Sequence, residues 1–155
     1  MLAEANTRYG GTNMGIIAIA SDHAGVVLKA QLKDHLASLG HEVIDLGPEH
    51  TASVDYPDYA DKLAATLKEQ RAEQGVLICG SGIGISIAAN RHHHIRAALC
   101  HDGLSAKLSR QHNDANVLVL GARLIGSDTA KDCATTFFST AFEGGRHQNR
   151  VNKLS

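Results

Sequence analysis

Val76-Leu77-Ile78-Cys79 runs without a break into Gly80-Ser81-Gly82-Ile83-Gly84, and a helix-compatible run to Asn90 follows. A short apolar run bounded by glycine reads as a buried strand. Glycines at alternate positions let the backbone turn tightly and come close to a bound molecule. The helix behind them points its free N–H groups back at the turn, a seat for negative charge. A thiol at a helix start is favoured as the thiolate. The stretch therefore proposes a reactive Cys79 beside an anion-friendly loop; the competing reading is a small buried core thiol. It is no P-loop, because Gly-Lys-Ser/Thr is missing. The pattern G-x-G-x-G also falls one residue short of the dinucleotide fingerprint.

The rest of the chain repeats this alternation. Ile16 to Ala20, Val43 to Leu46, Val76 to Cys79, Arg96 to Cys100 and Asn116 to Leu120 read as strands. Leu28, Leu32, Leu36 and Leu39 recur at helical spacing and stop at Gly40. Pro57 opens a second helix with a stripe of Leu63 and Leu67. Helices over Ile83 to Asn90 and Ser105 to Gln111 follow. Gly126-Ser127-Asp128 starts a long final helix reaching about Phe142. Strands alternating with helices predict an α/β fold: a single doubly wound, Rossmann-like domain with a five-stranded parallel sheet flanked by helices. The domain is assigned to residues 14–155. Residues 1–13 read as a polar, disordered extension, with Met14 as an alternative start.

Composition narrows the function classes. A net charge of -1 gives no basic field for nucleic acid. No apolar run approaches the roughly 20 residues of a membrane span. Three cysteines at wide spacing argue against a disulfide framework and for a reducing, cytoplasmic setting. His92-His93-His94 lacks metal-ligand spacing and reads as a solvated loop.

Ligands of such folds sit beyond the carboxyl ends of the strands. That rule selects Asp22 and His23, Cys79 to Gly84, His101 and Asp102, and Gly121 to Arg123. His112, near the end of its helix, is placed at the edge of the same rim, where an imidazole can move protons near neutrality. Its alternative is a surface cap. Arg146, His147 and Arg150 gather charge in a glycine-hinged tail. Arginines there could fork onto a phosphate, but the residues alone favour a solvated terminus.

Five motifs, in order, resemble type B ribose 5-phosphate isomerase, a family that includes galactose 6-phosphate and allose 6-phosphate isomerases. They are Asp22-His23-Ala24-Gly25, Asp55-Tyr56-Pro57, Cys79 to Ser86, Arg110 to Asp114, and Glu143 to Gln148. The resemblance covers about Met14 to Arg150. It implies an aldose–ketose isomerase acting through a cis-enediolate, with no metal and no cofactor. It implies Cys79 as the base, Ser81 and the amides of Gly80, Gly82, Ile83 and Gly84 around the developing oxyanion, and His112 in ring opening. Asp22, His23 and Tyr56 would contact the sugar. Asn113, Arg123, Arg146 and Arg150 would complete the site, the arginines mainly at the phosphate. It further implies a homodimer, or a tetramer, with each site shared between two chains. Ser81 stands where many relatives carry threonine, Leu104 where tyrosine is frequent, and Ile85 where some relatives carry a glutamate base. His101 is assigned support or packing, and Cys100 and Cys133 packing. Isomerisation of a six-carbon sugar phosphate, or non-catalytic binding of a nucleotide or phosphate, are the other readings.

Overall fold

A computed structural model describes residues 15–155; the extension expected at 1–13 lies outside the described residues. Five strands, β1 (Ile16–Ser21), β2 (Glu42–Asp45), β3 (Gln74–Cys79), β4 (Ala97–Leu99) and β5 (Val117–Gly121), form one sheet in the order β2-β1-β3-β5-β4. Every pairing is parallel. The described helices are α1 (Val26–Ser38), α2 (Tyr56–Lys68), α3 (Ile83–Asn90), α4 (Gly103–Asn113), α5 (Ser127–Ser139) and α6 (Arg146–Asn152), with a 3₁₀ turn at His23–Gly25. This is the expected doubly wound α/β domain. None of these helices is long and apolar enough to cross a membrane.

Continuous apolar strands are needed because both faces of the sheet are covered. Side chains alternate between faces along a strand. Ile17, Ile19, Val76, Ile78, Leu118 and Leu120 therefore pack with Leu28, Leu32 and Leu36 of α1, Ala106 of α4 and Phe137 of α5. Their neighbours Ala18, Ala20, Leu77, Cys79, Val117 and Val119 face α2 and α3, through Leu63, Leu67, Ile85 and Ala89. The second face uses small residues so that α2 can lie close. A Cβ added at Gly75 would come within 2.8 Å of Leu63.

Several expected boundaries move. Leu39 caps α1 and is exposed instead of continuing its buried stripe. The helix expected to run to Phe142 ends at Ser139, and Thr140 is extended. Ser139 and Thr140 hydroxyls donate to the carbonyls of Thr135 and Thr136, an alternative to the helical ladder. The final element is not that helix but α6. Gly144 and Gly145, both at positive φ, turn the chain into it, and His147 and Val151, four residues apart, bury its inner face. The histidine row is also less solvated than expected. His92 pairs with Asp61 at 2.8 Å, and His94 Nε2 lies 2.7 Å from the Ala64 carbonyl, so both tie the loop to α2.

One buried charge fixes α1 to the sheet. Lys29 is 3% exposed, and its Nζ lies 2.7 and 2.8 Å from the two carboxylate oxygens of Asp45, at the end of β2. Burial pushes the Asp45 carboxyl up, but the hydrogen bond from Lys29, the Gly47 amide and the charges of Lys29 and Lys33 outweigh it, and the net shift is downward. A folded-state value below the unfolded one means the carboxylate stabilises the fold at neutral pH. That contribution is lost as pH falls through the folded value. Lys29→Met is expected to lower the unfolding free energy by about 3 kcal/mol at neutral pH, the cost of stranding a partner charge. Urea unfolding would read it, and the difference from wild type should shrink in acid as Asp45 protonates.

Candidate active site

The strand order reverses between β1 and β3: β1 leads outward to β2, while the chain beyond β3 leads to β4 and β5 on the other side. Such a switch point opens a crevice at the carboxyl edge. Cys79 ends β3 there. Its neighbours clamp it on both sides. Asp22 N–H donates to the Ile78 carbonyl at 3.0 Å, while Ala122 and Arg123 donate to Cys79 and Gly80 at 2.9 Å each. Cys79 is 4% exposed, and its Sγ accepts the Gly82 N–H at 3.1 Å.

The glycine loop is dictated by close approach. Gly82 caps α3 with φ +77, and a Cβ there would sit 2.5 Å from Leu99 and 3.0 Å from the Leu120 backbone. A Cβ on Gly84 would strike the Tyr56 ring at 2.5 Å, so Tyr56 lies directly against the first turn of α3. Arg123 lies over Gly80 in the same way, with its guanidinium 3.1 Å from where a Cβ would be. Ser81 Oγ accepts the Ile83 N–H at 3.2 Å. The first intrahelical bond of α3 runs from Ser86 N to Gly82 O. The amides of Gly84 and Ile85 thus belong to the unladdered first turn, which favours anions.

From the β1 side, Asp22 caps the 3₁₀ turn by accepting Ala24 N–H at 2.9 Å and is nearly buried. His23 Nδ1 accepts the Val54 N–H at 3.2 Å, which places the ring proton on Nε2. Asp102, which the strand-end rule also selects, is committed elsewhere. It forms a capping box with Ser105 at the start of α4, and the Ser105 amide holds its carboxyl below the ordinary value.

The second group of candidates lies at the far end of the molecule. α4 leaves the carboxyl end of β4 and runs back, about 16 Å for its 11 residues. It ends where Arg96, before β4, donates to Asp114, and where Asn116 accepts from Gly75 at the start of β3. His112 therefore sits at the amino edge of the sheet, not at the edge of the rim as the sequence suggests. A parallel crossover leaves no other choice. Asn113 is exposed beside it.

A buried arginine builds this end. Arg110 donates to Thr140 O at 3.1 Å, Ala115 O at 2.6 Å and Asp114 Oδ1 at 2.9 Å. Glu143 N–H donates to Gln111 O, so the loop into α6 is docked on α4. α6 then stacks His147 on His112, with ring centroids 4.4 Å apart and planes 16° off parallel. Arg146 and Arg150 project from the same helix, both exposed. The tail is therefore an ordered helix, where the residues alone favoured a solvated terminus. One chain thus gathers Cys79, Ser81, Asp22, His23, Tyr56 and Arg123 at one end, and His112, Asn113, Arg146 and Arg150 at the other.

A thiol beside an amide-rich turn at a sheet's switch point defines a doubly wound α/β protein with a candidate ligand site at the carboxyl edge of its strands. The chain belongs, more narrowly, to the ribose/galactose isomerase family, whose model, described as Ribose/Galactose Isomerase, matches residues 17–154. It is 45% identical over 139 residues to ribose-5-phosphate isomerase B of Escherichia coli, covering 90% of this chain and 93% of that one. Its fold matches the crystal structure of a ribose 5-phosphate isomerase from Thermotoga maritima with a TM-score of 0.88 and 51% identity, covering 90% and 97% of the two chains. It matches ribose 5-phosphate isomerase B from Anaplasma phagocytophilum with a TM-score of 0.85 and 53% identity, covering 92% and 97%.

Burial lowers the affinity of His147 for a proton, and the neighbouring His112 and Arg146 lower it further, against an opposing Glu143. Its folded-state value is thus below that of the unfolded chain, so acidification through the ordinary histidine range opposes folding. The His147 resonances are expected to titrate below the ordinary histidine midpoint in an NMR pH series, and Arg146→Gln to move the midpoint upward.

Proposed function

We propose that this chain is an aldose–ketose isomerase interconverting ribose 5-phosphate and ribulose 5-phosphate through a cis-enediolate. The observation that carries the reading is the contact of Cys79 Sγ with the Gly82 amide at the start of α3. An N–H donor and a helix start favour the thiolate, the form that acts as a base. The thiolate removes the proton from the carbon next to the carbonyl, and the carbonyl oxygen becomes an enediolate oxygen. Ser81 and the amides of the loop meet that oxygen; one such donor is worth about 3–4 kcal/mol in measured cases. The thiol then returns the proton to the former carbonyl carbon, while the neighbouring hydroxyl gives its own proton to the enediolate oxygen and becomes the new carbonyl. No cofactor takes part in these steps.

His112 opens the furanose ring, with Asn113 beside it. Asp22, His23 and Tyr56 hold sugar hydroxyls. Arg123, Arg146 and Arg150 grip the phosphate and so fix the sugar carbons over the sulfur. The enzyme works in the cytoplasm, in keeping with three free cysteines.

Because Cys79 and His112 lie at opposite ends of one chain, the complete site belongs to a homodimer, Cys79 from one chain and His112 with the α6 arginines from the other. Two apolar pairs support a second copy as partner: Ile83 and Ile87 on α3, and Leu104 and Leu108 on α4, each four residues apart and exposed, Ile87 by 61% and Leu104 by 64%. A two-fold axis through such a surface forms two identical sites. The family description names galactose beside ribose, which keeps a six-carbon sugar phosphate as the second reading. Specificity constants for ribose, allose and galactose phosphates separate the two.

Cys79→Ala and His112→Ala are each expected to remove isomerase activity while leaving the dimer intact in sedimentation. Unfolded and refolded together in equal amounts, they should recover about a quarter of wild-type turnover, because half the dimers then carry one intact site. No recovery from chains shown to have mixed would reject sharing. Near-normal turnover by Cys79→Ala alone would reject the thiol as base.

A further inference from the structure

At the α4–α6 junction, His112, Glu143 and His147 each offer a ligand atom, and these atoms all lie within 4.8 Å of one another. We propose that this trio is an inhibitory site for a zinc-class divalent cation, and that its occupation takes His112 out of proton transfer. The inhibitory half rests on the role proposed above for His112; the binding half does not.

Two packing features hold the donors in place. The two rings, stacked at 4.4 Å, are kept side by side, and one must turn for both nitrogen lone pairs to meet one ion. His147, 7% exposed, is anchored by the packing of α6, and Glu143 is anchored by its amide on Gln111. Glu143 Oε2 lies 3.9 Å from His147 Nε2 at the exposed side of the pair. Two imidazoles and one carboxylate with a fourth position open is a donor set zinc accepts in catalytic centres. Bonds of about 2.0–2.1 Å at tetrahedral angles need ligand atoms about 3.4 Å apart. The trio must therefore close by up to about 1.4 Å, through movement of the exposed Glu143 side chain and a turn of the half-buried His112 ring.

Arg146 and Arg150, on the same helix, oppose a cation. Their charge suits a reversible, moderate affinity instead of a permanent structural metal. The same charges draw the phosphate of a substrate, so metal and substrate compete for one region. The cluster is separate from the His92–His94 row, whose rings are tied to α2.

The test uses the full-length protein freed of metal with a chelator, titrated with zinc by calorimetry and with cobalt by visible spectroscopy. One saturable ion per chain, with the intense visible bands of tetrahedral cobalt, is expected. Zinc should inhibit turnover in parallel, and chelator should restore it. Glu143→Gln is expected to weaken zinc binding and inhibition by at least about tenfold while metal-free turnover persists. His147→Gln is expected to do the same to binding, and Cys79→Ala to leave binding unchanged. Absence of saturable binding, wild-type affinity in both ligand variants, or loss of binding in Cys79→Ala would overturn the site. Saturated binding without inhibition would leave the metal site standing and overturn its inhibitory role, together with the ring-opening role of His112.

Discussion

A helix that connects two parallel strands must run back along the sheet, and this constraint decides where the chemistry can be. Residues at strand carboxyl ends and residues at the ends of the following helices are held apart by a whole helix. Here Cys79 ends β3 and His112 lies near the end of α4, one crossover later. No side-chain movement joins them within one chain. A catalytic reading that uses both therefore requires a second chain, and the exposed apolar pairs on α3 and α4 provide a surface for it. Assembly and catalysis become the same problem on this reading.

The carboxyl edge is built by exclusion. Gly82, Gly84 and Gly121 each sit where a Cβ would come within 2.5 Å of another group: Leu99, Tyr56 and the Ser81 carbonyl respectively. Only glycine lets β3, β5 and α2 converge on one turn. The convergence leaves a sulfur, a hydroxyl and the unladdered amides of α3 as the polar groups of that turn. The two other thiols are buried away from that turn. Cys100 and Cys133, packed on the opposite face, are pushed upward, Cys133 to about 12, with burial the leading cause in both. The Cys79 sulfur accepts the Gly82 N–H.

Much of this was legible in the sequence because each signal was local. Apolar runs of β1, β3 and β5 needed no partner to be read, Pro57 marked the start of α2, and the stretch over Ile83 to Asn90 matched α3 at both ends. What escaped depended on distant residues. α6 was missed because its burial signal, His147 and Val151, looks polar without the stacked His112 beneath it. The last turn of the expected helix to Phe142 failed because hydroxyls of Ser139 and Thr140 and the side chain of Arg110 compete for its carbonyls. Asp102 looked free for chemistry but serves as a cap, a role visible only through Ser105 three residues on. His112 was placed at the wrong edge although the fold was right, since reading a residue as near a helix end does not by itself say which edge that end reaches.

The proposed chemistry also explains why the two ends of the molecule carry different electrostatics. An enediolate is a strong base, and water near it would protonate it or compete for its amides. Cys79 is accordingly almost fully covered by its own chain, and its sulfur meets a loop amide near the Ser81 hydroxyl, with the Arg123 guanidinium over Gly80. Phosphate needs the opposite environment, with full positive charges on side chains that can fork. Arg146 and Arg150 supply it from a helix held by buried Val151 and stacked His147. Placed in one chain's pocket, those arginines would lie one crossover away from the thiol and could not orient its substrate. Brought by a partner, as proposed, they could fix the phosphate at the thiol end. On the proposed reading, the thiol end and the arginine-rich end are made separately, each where its own packing permits, and meet across a dimer.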